Sequence, residues 1–265
     1  MISIITSLYK SDKYLSDFAK NLINFSKELT ASKINFEVIV IANDPTAAEL
    51  SFMKKFGGED WFRSAVVGRE PLYATWNRGI ELSKGDIIAF WNVDDIRNAD
   101  AVIDGARLID NGADLVNFPF LIKWYLNIFN LFLSVKSKFI TPPEYERAEF
   151  MRSMHCGPFF MFKKSLYFLV GPFDEQFRIV GDFDWCVRAA EATDKFALSK
   201  KSAGIFRVDG GGLSAGGKPL HAIENNVVYR RHRIASKIVS VDNGGHVAKY
   251  DPEHIFFQGR YINIK

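Results

Sequence analysis

The chain has 265 residues, 48% of them hydrophobic, so it can bury a substantial core and is near the upper size of one domain. A formal net charge of +3 without a dense basic block argues against nucleic acid as a partner. The sequence opens on a strand-like stretch rather than a signal peptide, and Cys156 and Cys186 are far from CxxC spacing. We therefore expect a cytoplasmic protein with buried thiols.

Strand and helix patterns alternate through the first half of the chain. Short apolar runs predict strands over residues 2–8, 36–42, 64–67, 87–91 and 115–118. Apolar residues three and four apart predict crossover helices over 14–29, 46–56, 73–82 and 101–109. This alternation predicts an α/β fold with a doubly wound, mostly parallel sheet. The sequence contains no GxGxxG after the first strand and no GxxxxGK[ST], which argues against dinucleotide-binding and P-loop proteins.

The predicted strand 87–91 is followed by polar and acidic residues, namely Asn92, Asp94 and Asp95. Ligands of open α/β sheets bind at the carboxyl ends of the strands, so adjacent carboxylates there can hold a divalent cation against a diphosphate. An aspartate-rich turn before the next helix is an equally good interpretation of this stretch alone.

Residues 118–139 are rich in aromatic and aliphatic side chains, but Lys123, Asn127 and Ser134 interrupt them. A membrane span is excluded, because it needs about 20 apolar residues without charge. A helix or long hairpin that covers one sheet face is the favoured interpretation, since large exposed apolar patches are rare. The alternative is a flap over 118–135 that contacts a lipid-linked acceptor or a membrane surface.

The pattern beyond residue 140 is less regular. It predicts a polar helix over 144–152, a strand over 154–162, a turn over 171–177, short strands within 195–206 and a helix over about 220–238. His155 beside Cys156 has no third partner nearby, so we expect core packing rather than a metal site. The basic run 230–233 is expected on a solvated helix face.

A helix start is predicted near Asp182 and Asp184. Either side chain can accept from free N–H groups of the first turn, and Asp184 with Arg188 forms an i, i+4 pair. Residues two apart on a helix do not share a face, so we expect one aspartate to cap or pair while the other points into a cleft. The helix N-terminus should favour the ionised form of that carboxyl.

Six stretches in this order carry a family resemblance: Thr6 to Tyr9, Asn43-Asp44, Asn77 to Ile80, Asn92 to Asp95, the turn 171–175 and Asp182. They resemble the opening strand, the acidic base-contacting loop, the Asn-x-Gly-Ile element, the DxD motif, the Gly-x-Phe-Asp-Glu turn and the base-bearing Glu-Asp motif of inverting family-2 glycosyltransferases. The resemblance covers about residues 1–235 and implies the GT-A fold. Two positions depart from the family pattern: Asn92 replaces the first acid of DxD, and Gly181 stands where the family often has Glu.

The resemblance implies a single GT-A domain over 1–240, with a nucleotide-sugar-binding half (1–118), a smaller acceptor-side half (119–240) and a C-terminal extension (241–265). Asp182 would be the catalytic base. Asp94 would hold Mg²⁺ or Mn²⁺, with Asp95 and His221 as further ligands. The nucleotide sugar would contact ten residues: Thr6, Tyr9, Asn43, Asp44, Asn77, Asn92, Val93, Asp94, Ser214 and Lys218. The last two belong to a glycine-rich loop, 209–218, that can form an anion nest over a diphosphate or be a plain surface loop.

The implied reaction is sugar transfer with inversion from a nucleoside-diphosphate sugar, in the first place a UDP-sugar, to a hydroxyl of a saccharide or lipid-linked acceptor. Such a reaction would serve polysaccharide biosynthesis. Asn92 and Gly181 favour an alternative, a catalytically inactive nucleotide- or carbohydrate-binding module. A sugar-phosphate nucleotidyltransferase is a further alternative, although its Gly-rich, Arg-containing loop after the first strand is absent from the sequence.

Overall fold

A seven-stranded sheet forms the centre of the computed structural model, which describes residues 1–128, 131–210, 218–234 and 250–264. Its strand order is β10-β6-β9-β4-β1-β2-β3. The strands are β1 (Ile2–Leu8), β2 (Phe36–Asn43), β3 (Phe62–Val67), β4 (Ile87–Phe90), β6 (Leu115–Asn117), β9 (Met161–Lys163) and β10 (Phe196–Leu198). Only β9 among these runs antiparallel to its neighbours. The predicted α/β fold with a mostly parallel sheet is therefore confirmed.

Helices cover both faces of this sheet. They are α1 (Leu15–Ala31), α2 (Ala47–Phe56), α3 (Leu72–Leu82), α4 (Ala99–Asp110), α5 (Arg147–Arg152), α6 (Lys164–Val170), α7 (Gly181–Ala192) and α8 (Lys218–Arg231). One buried cluster contains Phe18, Phe25 and Trp91, and a second, on the other face, contains Trp76 and Trp185. Because both faces are covered, the central strands are continuous apolar runs, which is why the sequence predicts them well.

A second sheet has the order β5-β11-β7-β8, with β5 (Ile96–Arg97), β7 (Phe120–Ile128), β8 (Leu131–Ile140) and β11 (Gly204–Val208). The segment predicted as a helix or long hairpin is thus a hairpin, β7–β8. Phe120, Ile122 and Ile140 at its base pack against the first core cluster, as the covering interpretation predicts. Farther out, the hairpin exposes Leu126 and Leu133.

Several predicted boundaries are wrong in the second half of the chain. The polar helix is shorter than predicted and covers only Arg147–Arg152, while the strand predicted over 154–162 is reduced to Met161–Lys163. α8 ends at Arg231 rather than near residue 238. No helix in the described parts of the chain is long and apolar enough to cross a membrane.

The described C-terminal residues form a hairpin, β12 (His254–Phe257) and β13 (Arg260–Asn263), that packs against the turn before α7. Glu175 N donates to Phe256 O over 2.9 Å, and Phe256 N donates to the Asp174 carboxylate over 3.1 Å. These contacts cross the boundary predicted at residue 240. The division of the chain into 1–240 and an extension stays a prediction.

Candidate active site

The turn after β4 carries Asn92, Asp94 and Asp95 at the carboxyl edge of the central sheet. Asp95 is buried and accepts hydrogen bonds from the backbone N–H of Arg207 over 2.9 Å and from the Asn92 amide over 3.3 Å. Trp91 Nε1 donates to the Asp95 carbonyl over 3.0 Å. Burial and the nearby charge of Asp94 raise the pKa of Asp95 well above its usual value. Asp95 thus joins β4 to β11, and this placement does not support its prediction as a metal ligand.

Asp94 belongs to the same turn, but its side chain is only partly buried. Burial raises the pKa of its carboxyl, Asp209 adds to that rise, and the positive charges of Arg207 and Lys13 oppose it. Asp209 accepts from Tyr14 Oη over 2.8 Å and from Lys13 Nζ over 3.3 Å, and Arg207 Nε lies 3.7 Å from the same carboxylate. We call Lys13, Tyr14, Asp94, Arg207 and Asp209 the charged cluster.

The sequence analysis identifies only Asp94 within the charged cluster. Lys13 and Tyr14 come from the segment after β1, whereas Arg207 and Asp209 lie at the end of β11. Only the pairing of β11 with β7 and β5 brings them to this edge, and no local pattern reports that pairing. Asp209 does precede the glycine-rich run directly, which is the one signal that the sequence offers.

The predicted ligand set of Asp94, Asp95 and His221 is not assembled. His221 is exposed on α8, where its Nδ1 lies 2.9 Å from the Asn225 amide. Within the described ranges, no three His, Cys, Asp or Glu side chains are grouped to hold a metal ion. A hard cation held by one or two carboxylates and by the phosphates of a substrate needs no such triad, so the oxygen ligands of Asp94 fit it.

Other predicted donor contacts lie at the ends of β1 and β2. The guanidinium of Arg69 stacks 3.7 Å from the centre of the Tyr9 ring. The Asn43 amide exchanges two hydrogen bonds with the backbone of Glu70, of 2.6 and 3.0 Å, and so fixes the loop that carries Arg69. Asp44 is exposed and has a left-handed backbone, with φ of 49°. Tyr9 and Asp44 are therefore placed where a nucleoside could reach them.

Three more predicted donor contacts are less accessible. Thr6 is fully buried in β1, and its Oγ1 has no hydrogen-bond partner among the described residues. Val93 is partly buried against the first core cluster. The side-chain amide of Asn92 donates its hydrogen bond to the Asp95 carboxylate. Ser214 lies outside the described residues, and so does the side chain of Lys218.

Asn77 holds the turn over residues 171–175 rather than facing a cleft. Its side chain is buried and donates to Phe173 O over 2.9 Å and to Glu175 Oε1 over 3.0 Å. Its Oδ1 accepts from Phe173 N over 2.9 Å and from Tyr167 Oη over 3.1 Å. All of these partners belong to the protein, so the side chain has a structural role, and its contact with the donor stays a prediction.

Asp182 is the second residue of α7 and is partly buried against α3. Its Oδ1 accepts from Phe183 N over 2.9 Å and lies 3.2 Å from Tyr73 Oη. Burial raises the pKa of its carboxyl to about 6, despite these donors. The expected stabilisation of the ionised form at the helix N-terminus is therefore outweighed by desolvation.

The first turn of α3 places Asp182 at the carboxyl edge of the central sheet. Thr75 Oγ1, in that turn, lies 3.1 Å from Ser7 Oγ near the end of β1. Tyr73 of the same turn contacts Asp182, and Asp94 follows β4, the neighbour of β1. Asp94 and Asp182 thus belong to the same edge, where ligands of open α/β sheets bind.

Asp184 is fully buried in an ion-pair network. It contacts Arg188 Nε over 3.0 Å, Arg231 over 2.7 Å and His232 Nε2 over 3.4 Å. The two guanidinium groups hold the pKa of Asp184 far below its usual value, even though burial acts to raise it. The predicted pair with Arg188 is confirmed. The prediction of a solvated basic face over 230–233 is wrong for Arg231 and His232, whose side chains are buried.

Glu224 of α8 fixes the turn that precedes Asp182. Its buried carboxylate accepts from the backbone N–H groups of Arg178, Ile179 and Val180 over 2.9 to 3.1 Å. Tyr250 Oη donates to the same carboxylate over 2.7 Å. The sequence analysis missed Glu224 because the three backbone N–H groups that it binds are 44 to 46 residues distant along the chain.

The strand order and the acidic turn after β4 define the GT-A class of α/β fold. Residues 3–168 match the sequence profile of the family described as Glycosyl transferase family 2. The chain belongs to this family, which confirms the family-2 resemblance; the turn 171–175 and Asp182 lie beyond the matched residues, and inversion stays a prediction. A comparison with curated protein sequences gives no significant match.

Solved structures of Staphylococcus aureus TarS share the fold. The structure of TarS residues 1–349 with UDP-GlcNAc is 18% identical, has a TM-score of 0.64, and is matched over 91% of this chain and 67% of that one. The structure of the same TarS region with UDP is also 18% identical, has a TM-score of 0.59, and is matched over 91% of this chain and 66% of that one. A further TarS structure is 16% identical with a TM-score of 0.59, and this chain spans only 42% of it.

Proposed function

We propose that this chain transfers a sugar, with inversion, from a UDP-sugar to a hydroxyl of a saccharide or lipid-linked acceptor. The family supports glycosyl transfer, and the similar TarS structures with UDP-GlcNAc and UDP support a uridine nucleotide as donor. The observation that carries the proposal is Asp182, a partly accessible carboxyl with a pKa of about 6 at the ligand-binding edge of the sheet. A base with that pKa is ionised at neutral pH and still accepts a proton readily.

Asp182 would take the proton of the acceptor hydroxyl as its oxygen attacks the anomeric carbon from the face opposite the diphosphate. The bond from that carbon to the diphosphate oxygen breaks with its electron pair, which leaves negative charge on the phosphates. The charged cluster supports this step, because Lys13 and Arg207 are cations beside Asp94. A Mg²⁺ or Mn²⁺ ion held by Asp94 would act as a Lewis acid on the leaving diphosphate.

The hairpin β7–β8 would bring the site to its acceptor at an anionic membrane surface. Tyr125 and Phe132 on one hairpin face lie 4.5 and 4.2 Å from the guanidinium of Arg207, so the hairpin borders the charged cluster. Leu126, Leu133, Val135 and Phe139 are each more than half exposed. Residues 118–140 contain three lysines and no Asp or Glu, so this apolar surface carries only positive charge.

The test is product release from a panel of nucleotide sugars with saccharide and lipid-linked acceptors. A glycosyltransferase releases a nucleoside diphosphate, a nucleotidyltransferase releases pyrophosphate, and a binding module releases neither. We expect UDP from the wild type and loss of release in Asp182→Asn. Asp86→Asn is the matched control, because Asp86 is exposed at the opposite end of β4. Pyrophosphate release, or no release with any donor, would refute the proposal.

A further inference from the structure

We propose that Tyr73 is a positioning residue for Asp182, whose carboxyl it can hydrogen-bond in both the ionised and the protonated state. The space for the tyrosine ring exists because residue 181 is a glycine, and we call this position the glycine seat. This inference rests on the proposed role of Asp182 as general base.

The hydroxyl of Tyr73 has two partners and only one proton. Its Oη lies 2.8 Å from the carbonyl oxygen of Ile179 and 3.2 Å from Asp182 Oδ1. A carbonyl oxygen only accepts, whereas a phenol oxygen both donates and accepts. The partner that receives the tyrosine proton therefore depends on whether Asp182 is ionised.

In the ionised state, the Tyr73 proton is directed to the Asp182 carboxylate, alongside the N–H of Phe183. When Asp182 takes the proton of the acceptor hydroxyl on Oδ1, the oxygen that faces the tyrosine, the new acid can donate to Tyr73 Oη, and the tyrosine proton turns to Ile179 O. Each state thus keeps a hydrogen-bond partner for the carboxyl. The base need not rotate away from the reacting hydroxyl when its charge changes, because the carboxyl keeps a hydrogen-bond partner in each state.

Gly181 makes this contact possible because the tyrosine ring packs directly on its Cα. A Cβ at this position would lie 2.6 Å from both Cδ2 and Cε2 of Tyr73 and 2.9 Å from Cγ, well inside van der Waals contact. The ring has no room to retreat, since it is fully buried against Trp76 and Phe173. A Glu at this position would displace the tyrosine and with it the hydroxyl that faces Asp182.

The test is the titration of the Asp182 carboxyl by ¹³C NMR, assigned with Asp182→Asn. Tyr73→Phe keeps the ring but removes a donor to the carboxylate, so we expect the pKa of Asp182 to rise above its value of about 6 in the wild type. The acid limb of the kcat/KM profile should move with it, so activity should fall more at pH 6 than at pH 8. Tyr167→Phe is the matched control, because the buried hydroxyl that it removes donates to Asn77 and not to Asp182. Asp182 should titrate in this variant as it does in the wild type.

The outcomes separate this inference from the proposed function. An unchanged Asp182 titration in Tyr73→Phe, with Asp182→Asn inactive, would overturn the positioning role alone. Full activity in Asp182→Asn would overturn the general base and the inference that depends on it. Gly181→Ala should raise the pKa of Asp182 as Tyr73→Phe does, because the added Cβ displaces the tyrosine ring. An Asp182 pKa equal to that of the wild type would refute the role of the glycine seat. Should Gly181→Ala not fold, Tyr73→Leu/Gly181→Ala removes the clashing ring, and we expect this double variant to fold; its failure to fold would also refute the role of the glycine seat.

Discussion

Arg231 of α8 and Asp184 of α7 form a wholly buried ion pair, with Nη1 and Oδ1 2.7 Å apart. Arg231 Nη2 also donates to the Asp174 carboxylate over 2.8 Å and to the carbonyls of Asp251 and His254 over 2.9 and 2.8 Å. One guanidinium therefore joins the turn before α7, α7 itself and the C-terminal hairpin. The pair is structural, and this separates Asp184 from its neighbour Asp182.

Asp184→Asn should strongly destabilise the protein. Removing this carboxylate leaves Arg188 with backbone carbonyls alone and Arg231 with Asp174 as its remaining carboxylate partner, and breaking a buried pair in this way costs about 3–5 kcal/mol of unfolding free energy. This exceeds the roughly 1 kcal/mol of a lost helix cap, the effect to be expected from the sequence alone. Urea denaturation measures it, with Asp86→Asn as the exposed control. A loss below about 1 kcal/mol would contradict the network.

Asp182→Asn should lower the transfer rate by about 10²–10⁴-fold, because an amide cannot take the proton of the acceptor hydroxyl. Donor affinity should stay near that of the wild type, since the donor would be held by other residues of the same edge. Steady-state kinetics and calorimetry with UDP give the two quantities. An active Asp182→Asn, or an inactive and folded Asp184→Asn, would reverse the assignment of the base.

The same substitution should stabilise the protein near neutral pH. The pKa of Asp182 is about 6 in the folded chain, above the roughly 3.9 of an unfolded aspartate, so the folded state binds the proton more tightly. The contribution of Asp182 to stability is therefore fully present below about pH 4 and is lost as the pH rises through 6. Relative to wild type, Asp182→Asn should gain up to about 2 kcal/mol between pH 4 and 7. A pH-independent difference in denaturation midpoint would contradict the raised pKa.

Asp94→Asn should abolish the effect of divalent cations on nucleotide affinity. A cation shared between this carboxylate and the diphosphate tightens UDP binding in the wild type, so titration calorimetry with Mn²⁺ should give a lower Kd than titration with EDTA. The variant should give one Kd under both conditions and remain folded, because Asp94 is not part of the buried Asp95 contact. Equal affinities for the wild type would refute the metal role and leave Lys13 and Arg207 as the charges that face the diphosphate.

Leu126→Ser/Leu133→Ser should reduce binding to anionic vesicles without unfolding the protein. Both side chains are more than half exposed and pack little in the fold, so their loss removes membrane contact rather than core. Co-sedimentation with phosphatidylglycerol vesicles is the measurement, and phosphatidylcholine vesicles should bind less. Leu50→Ser, at an exposed leucine of α2, is the control. If the Leu126→Ser/Leu133→Ser variant sediments with vesicles as much as Leu50→Ser does, or if the wild type does not sediment with them, the proposal that this hairpin binds membranes is refuted.

The sequence predicts the parts of this fold that depend on local patterns. The five predicted strands are present: four are runs buried on both sides, and β3 is a partly exposed strand at the sheet edge. The helix geometry around Asp184 also correctly predicts its pair with Arg188. Contacts between distant segments escape such patterns. Asp209 and Glu224 are placed by strand pairing and helix docking; the glycine-rich run after Asp209 is its only local signal, and the immediate neighbours of Glu224 give none. Asn77 is the opposite case: it belongs to a motif that the sequence shows clearly, yet its side chain makes its hydrogen bonds to other parts of the fold.

The hold of Glu224 and Tyr250 on the turn before Asp182 bears on how the protein becomes active during its synthesis. A ribosome delivers the β4 turn and α7 well before α8 and residue 250, and domains consolidate as their segments emerge. A nascent chain that ends short of Glu224 can form the first strands of the sheet, but the turn before Asp182 lacks the carboxylate that accepts from three backbone N–H groups. A chain that ends between Glu224 and Tyr250 has this carboxylate but lacks the tyrosine hydroxyl that donates to it. The turn that carries Asp182 is therefore fully held only after Glu224 and Tyr250 have been synthesised, and we expect a nascent chain that ends before Glu224 not to turn over donor.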